Sequence, residues 1–239
     1  MSLLPSCAKR IDDNDKICNS DCTIIKGRIL TTGDRPVAGG RISLSYRKKT
    51  GTYSTSTRKI RHATSDNNGI FELKFYINDD ELGNESPGYF SIDMAKESFD
   101  MEKYLITSDI SPTFNKTIYE ISRRDTTIDL GFYLPAKAMI KVNLKDFEPF
   151  SSKDRFSVKT LYPYGWNINV PNTFLGGRFS TGQSSDFVAT STNYTALIPV
   201  AANDTAVIRV LKIKNGVSTM QDYRTLIPEN GISEFTFSY

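Results

Sequence analysis

Over much of this chain, apolar residues recur at every second position. Ile140, Val142 and Leu144 are spaced this way, and so are Phe235, Phe237 and Tyr239. A period of two puts such residues on one face of a strand, buried against a partner sheet. Alternating or β-branched runs predict strands over Thr23–Leu30, Arg41–Tyr46, Ile70–Ile77, Tyr89–Met94 and Thr126–Tyr133. The second half repeats the style at Ala138–Leu144, Phe156–Thr160, Tyr194–Val200, Ala206–Ile213 and Ile232–Tyr239. Turn chemistry separates these runs at Asp66-Asn67-Asn68-Gly69, Asn215-Gly216 and Asn230-Gly231, where a tight hairpin is expected. Helix is expected only over Glu97–Tyr104, for a turn or two. The pattern predicts an all-β protein of the sandwich type.

Pro135 interrupts the pattern between the run ending at Tyr133 and the one starting at Ala138, because proline donates nothing to a strand ladder. Three parts are therefore expected: a polar leader over 1–21, a sandwich over 22–134 and an Ig-like sandwich over 135–239.

Composition narrows the chemistry. The 239 residues hold 30 Lys plus Arg against 27 Asp plus Glu, a net charge of +3. So balanced and evenly spread a charge argues against nucleic-acid binding. With 38% hydrophobic and 11% aromatic residues there is enough to build cores. The longest uncharged stretch, Thr160–Gly177, carries proline, asparagine and glycine throughout and reads as loop, not as a membrane span.

The chain has 1 His and 3 Cys. Leu4-Pro5-Ser6-Cys7 resembles the lipobox of bacterial lipoproteins, in which the Cys thiol receives diacylglycerol and a polar tether follows. Residues 8–21 suit such a tether, and the expectation is a truncated signal with Cys7 as the lipidated residue. The alternative is an incidental cysteine near a frayed terminus. Cys18 and Cys22 lack the second ligand pair that a zinc site needs. They read as a local disulfide of an exported protein, or as free thiols in a reducing compartment.

Ile25-Lys26-Gly27-Arg28-Ile29, then Gly33-Asp34-Arg35-Pro36-Val37 leading to Gly39-Gly40-Arg41-Ile42, then Thr64-Ser65-Asp66-Asn67-Asn68-Gly69-Ile70-Phe71-Glu72-Leu73 together resemble the carboxypeptidase regulatory-like domains, relatives of the prealbumin fold. The resemblance covers residues 22–133. It implies a seven-stranded sandwich acting as an accessory module, often in surface proteins of Gram-negative bacteria, that does not itself cleave peptides. Gly40 stands where that family usually has Ala, a change expected to alter little. Transthyretin-like hydroxyisourate hydrolases share the fold class. They need two separated His and a C-terminal Tyr-Arg-Gly-Ser, which His62 alone and the closing Phe237-Ser238-Tyr239 do not supply.

Other chemistry is thin. His62 sits among Arg58, Lys59 and Arg61 as a surface residue, and Gly176-Gly177-Arg178 lacks phosphate-loop spacing. Asp79-Asp80-Glu81 reads as a solvated loop without the offsets of a calcium site. Arg47, Lys48 and Lys49 with Arg58, Lys59 and Arg61 read as a solvated hairpin, or as an attractor of anionic surface polymers. Tyr162, Tyr164 and Trp166 form the one aromatic cluster in a Pro/Gly loop, suited to protein contact or to stacking on sugar rings, or else folded back onto the sandwich. No cofactor or metal is expected. The expectation is a non-enzymatic cell-envelope lipoprotein for adhesion, scaffolding or surface-ligand binding, its partner a surface protein or glycan and its membrane contact a lipid anchor alone. The alternative is a carbohydrate-binding accessory protein of a glycan-uptake system.

Overall fold

A computed structural model describes residues 11–12, 18–51, 54–106, 115–162, 182–183 and 186–239. Every regular element longer than a 3-10 turn among them is a strand. The first half contains β1 (Ile11–Asp12), β2 (Thr23–Thr31), β3 (Arg35–Pro36), β4 (Arg41–Lys49), β5 (Thr55–Thr64), β6 (Ile70–Phe75), β7 (Gly88–Met94), β8 (Asn115–Ile118) and β9 (Thr127–Tyr133). The second contains β10 (Lys137–Lys145), β11 (Arg155–Tyr162), β12 (Gly182–Gln183), β13 (Phe187–Val188), β14 (Tyr194–Ala201), β15 (Thr205–Lys214), β16 (Val217–Leu226) and β17 (Ile232–Ser238).

The chain forms two compact units. One gathers Met1–Ile29, Pro36–Phe99 and Phe114–Phe132; the other gathers Leu30–Arg35, Asp100–Thr113 and Tyr133–Tyr239. Each is a β-sandwich. In the first, a sheet ordered β1-β5-β4-β7-β8 faces one ordered β3-β2-β6, with β9 also on β2. Inward residues of β6 alternate with outward ones, and Phe71, Leu73 and Phe75 are buried. Phe75 reaches across to Phe90 of β7, ring centroids 5.9 Å apart, and Tyr46 of β4 packs edge-on to Phe90 at 5.1 Å.

In the second unit, β14-β10-β17 faces β12-β11-β15-β16. The Ile140, Val142 and Leu144 row is wholly buried against Phe156, Val158, Ile208 and Val210 from the other sheet. β17 returns to pair in parallel with β10, and its Phe235 and Phe237, with Tyr239 beyond it, close the core.

Several local expectations change. Only Asn215-Gly216, at φ 51° and 78°, closes a two-residue hairpin, between β15 and β16. Asp66–Gly69 instead carries the chain from one sheet to the other, as β5 pairs with β4 whereas β6 pairs with β2. Asp66 Oδ1 holds that turn by accepting the Asn68 and Ile70 N–H groups, each at 2.8 Å. Asn230-Gly231 likewise links β16 to β17 of the opposite sheet. The Glu97–Tyr104 stretch yields only a 3-10 turn at Lys96–Ser98, because Phe99 and Leu105 are drawn into apolar packing. At Gly40 a methyl is not a small change: an added Cβ would stand 2.5 Å from Ile29 Cδ1 and 2.7 Å from Phe99 Cζ. Alanine there must displace both side chains.

A polar network stitches the discontinuous segments of the second unit. Tyr133 donates its hydroxyl to Asp204 Oδ2 at 2.5 Å, and the Ala136 N–H donates to Thr32 Oγ1 at 3.0 Å. Burial pushes the Asp204 carboxyl above its ordinary value, and the Tyr133 bond only partly opposes this. Burial and the same bond push the Tyr133 hydroxyl up. The folded state therefore holds the Asp204 proton more tightly than the unfolded state. Its stabilising contribution is present at low pH and is lost as pH rises from the ordinary carboxylate value through the raised one. Asp204→Asn keeps an acceptor for Tyr133 without a charge to bury. The variant should be at least as stable as the native chain at neutral pH, with the difference closing in acid. Thermal unfolding midpoints from about pH 4 to about pH 7 check this.

Candidate functional site

The sequence candidates scatter. Cys7, Tyr164 and Trp166 lie outside the described residues, as does the side chain of Tyr162, whose backbone ends β11. Cys18 and Cys22 are joined by a disulfide, their Cα atoms 5.8 Å apart. His62 is exposed on β5 opposite Ser43. Among the described residues, no group of three or more His, Cys, Asp or Glu is placed to hold a metal ion. None of their helices is long and apolar enough to cross a membrane.

What the fold does assemble is a cleft of about 300 Å³ on the open side of the first sandwich, between β5 and β6. A β-bulge builds its cationic wall. The β4–β5 register slips between Leu44 and Ser45, so that Ser45 faces Lys59 and Leu44 faces Arg61, with Ile60 as the extra residue. Residues directly opposite in an antiparallel pair share a face. Arg58 therefore points inward with the buried Tyr46, Arg61 points inward with the buried Leu44, and Ile60 is itself buried. Three near-consecutive residues thus line one cleft, which a regular strand would not allow.

Arg58 is held by Glu81. Its Nε donates to Glu81 Oε1 at 2.7 Å and its second nitrogen to Oε2. The side chains are 10% and 3% exposed. Glu81 Oε2 also accepts the Asn78 N–H at 3.0 Å. This corrects the solvated-loop reading of Asp79-Asp80-Glu81: a single 3-10 turn over Asp79–Glu81 rolls the last carboxylate inward. Asp79 and Asp80 stay outside, where Asp79 meets Arg124 and Asp80 lies 4.0 Å from Lys48. The basic hairpin is likewise partly neutralised, since Arg47 pairs with Asp93 at 2.9 Å.

The remaining wall comes from β6 and the residue after it. Lys74 is exposed, and Tyr76 is 44% exposed and lines the cleft. The guanidinium of Arg124 lies over the Tyr76 ring, 4.4 Å from its centroid, fixed by a 2.6 Å bond from Nε to Ile77 O. The disulfide-tied Cys18, Asn19 and Ser20 complete the lining. With Arg58 matched by Glu81 and Arg61 half-buried in the wall, the exposed charge is that of Lys74, beside a flat aromatic ring. A cation beside an exposed aromatic ring has the chemistry to contact an anion with an apolar or ring-shaped body. Sequence inspection misses Lys74 and Tyr76, since nothing local marks them as neighbours of β5.

No family model matches the chain, and no curated protein matches it. Among solved structures it is similar to the Bacillus anthracis TIE protein, at 14% identity over 90% of this chain and 33% of that one, with a TM-score of 0.30. It is also similar to BcpA, the major pilin subunit of Bacillus cereus, at 12% identity over 87% and 69% with a TM-score of 0.32. A third is the shaft pilin spaA from Lactobacillus rhamnosus GG, at 9% identity over 91% and 96% with a TM-score of 0.30. The chain spans a third of the TIE protein's length. At such scores the two-sandwich architecture stands on the strand registers given above.

Removing one partner of a buried ion pair leaves a charge in low dielectric, which costs about 3–5 kcal/mol. Glu81→Ala should lose stability in that range by urea unfolding, and Glu81→Gln less. Because Glu81 is buried, the loss should change little with salt, unlike that of a surface pair.

Proposed function

We propose that this protein is a non-enzymatic binding and scaffolding module of the bacterial cell envelope, lipid-anchored at Cys7, that engages an anionic surface ligand through its β5–β6 cleft. The observation that carries this reading is the cleft itself. Lys74 and Tyr76 stand at its surface, Arg61 is half-buried in its wall, and a buried ion pair and a disulfide also line it. Rigid support behind an exposed cationic and aromatic rim costs a binding surface little ordering entropy. The disulfide also favours an oxidising, extracytoplasmic compartment. The carboxypeptidase regulatory-like resemblance of residues 22–133 fits the same accessory role.

Retention on affinity gels tests the ligand half of the proposal, using a sulfated dextran and a neutral dextran of equal length. The native chain should be retarded by the sulfated polymer alone, and less as salt rises. Lys74→Glu should weaken that retention about tenfold or more without shifting thermal unfolding. Retention lost in Trp166→Ala but kept in Lys74→Glu would assign binding to the aromatic loop and overturn the cleft. The anchor half is read from the chain made in its native host: a membrane-partitioned form carrying diacylglycerol on Cys7 is expected, and a soluble form with an unmodified Cys7 rejects it.

A further inference from the structure

β16 is the outermost strand of its sheet, and among the described residues no strand pairs with its outer edge. All its residues but Thr225 are exposed, including Met220 at 58%, Tyr223 at 38% and Leu226 at 62%. Its register with β15 runs unbroken from Lys214↔Val217 to Thr205↔Leu226. A long, regular strand with a bare edge is a template for another strand. Folded proteins ordinarily blunt such edges with proline, bulges or inward charges.

The hairpin fixes which backbone groups are on offer. Asn215 and Gly216, both at positive φ, make a two-residue primed turn, so Lys214 and Val217 form the first hydrogen-bonded pair. Alternation then commits Val217, Thr219, Gln221, Tyr223 and Thr225 to β15. It turns the N–H and C=O groups of Ser218, Met220, Asp222, Arg224 and Leu226 outward.

We infer that β16 pairs antiparallel with β16 of a second copy of this chain, about a two-fold axis through Tyr223. The segment Met220-Gln221-Asp222-Tyr223-Arg224-Thr225-Leu226 is self-complementary in that register. Asp222 stands opposite Arg224 of the other copy at both ends of the axis, Met220 stands opposite Leu226, and Gln221 opposite Thr225. Asp222 and Arg224 both turn their backbone groups outward, as do Met220 and Leu226. The opposed pairs are therefore the hydrogen-bonded ones, and Tyr223 faces its own copy in a non-hydrogen-bonded pair. Neighbouring registers that keep the sheet faces aligned do worse. Centring on Asp222 sets two carboxylates against each other, and centring on Gln221 sets Met220 against Asp222. Asp222 is already oriented for the task, gripped by Arg209 through bonds of 2.8 and 2.7 Å that leave it on the outer face of the sheet. The ladder is short, so the dimer belongs to the weak, concentration-dependent class.

Sedimentation of the full chain from micromolar to low-millimolar concentration reads the association. The native protein should pass from monomer to dimer across that range. Arg224→Pro removes an N–H that β15 does not use, and proline is tolerated at such an edge position; it should remain folded and monomeric. Arg224→Asp places like charges opposite each other twice and should raise the dissociation constant about tenfold or more. That variant carries the test if the proline variant does not fold. In a Cys7→Ser background, Tyr223→Cys should form an intermolecular disulfide on mild oxidation, since Cα atoms of a non-hydrogen-bonded pair lie about 4.5 Å apart, within disulfide reach. Gln221→Cys should not. A native chain that stays monomeric throughout, an Arg224→Asp dimer as strong as the native one, or equal crosslinking at 221 and 223 would overturn the inference.

Discussion

The buried pair between Arg58 and Glu81 holds the first sandwich open in one place and shut in another. Arg58 belongs to β5 in one sheet, and Glu81 follows β6 of the other sheet. Their bidentate bond spans the sandwich on the side where neither strand has a full neighbour. Burial of both groups costs several kcal/mol of desolvation, repaid only because the carboxylate meets guanidinium and backbone N–H together. Such a pair adds little net stability over apolar packing, but it fixes where β5 stands against the Asp79–Glu81 turn.

A different economy governs the second unit. Its segments are discontinuous, and the polar atoms where Thr32, Tyr133 and Asp204 meet are matched to one another instead of to solvent. These are the kinds of perturbed groups that often mark reactive sites. Here the Tyr133 hydroxyl is committed to Asp204, and Thr32 Oγ1 accepts a backbone N–H. The perturbation is thereby accounted for by the joining of chain segments, and its consequence is a pH-dependent stability.

Legibility followed burial on one face. The Ile140–Leu144 row and the Phe71–Phe75 row were visible because alternate residues are apolar and alternate residues are not, which is what a half-buried strand requires. β5 escaped because a bulge breaks its alternation and Ile60 is its one large apolar residue. β16 escaped because almost all of its residues are exposed; beyond its ladder it is tied by the Arg209–Asp222 pair and by Tyr223 against Phe237, which leave no alternating hydrophobic pattern to read. Asp66–Gly69 and Asn230-Gly231 were legible as turns but not as sheet changes, since local φ preferences say nothing about which strand the chain pairs with next. The Glu81 inversion and the tight fit around Gly40 depend on residues far apart in sequence, so no window around either position contains them. Of the cleft, the basic residues of β5 were conspicuous, whereas their selection into one wall came from the bulge.

The β5 and β16 sides of the two sandwiches differ in what they leave bare. On β5, Arg58 is buried against Glu81, and β1 covers part of the edge by parallel pairing at Arg58 and Lys59. The backbone groups of that stretch already have a strand beside them, so a second copy finds no bare ladder there. On β16 the charges are one acid and one base, two residues apart about Tyr223, and Met220 and Leu226 lie symmetrically beyond them. Reversal of strand direction exchanges acid for base and one apolar residue for the other, so this edge matches itself. One fold thus carries an edge covered in part by its own chain and an edge whose sequence matches itself on reversal.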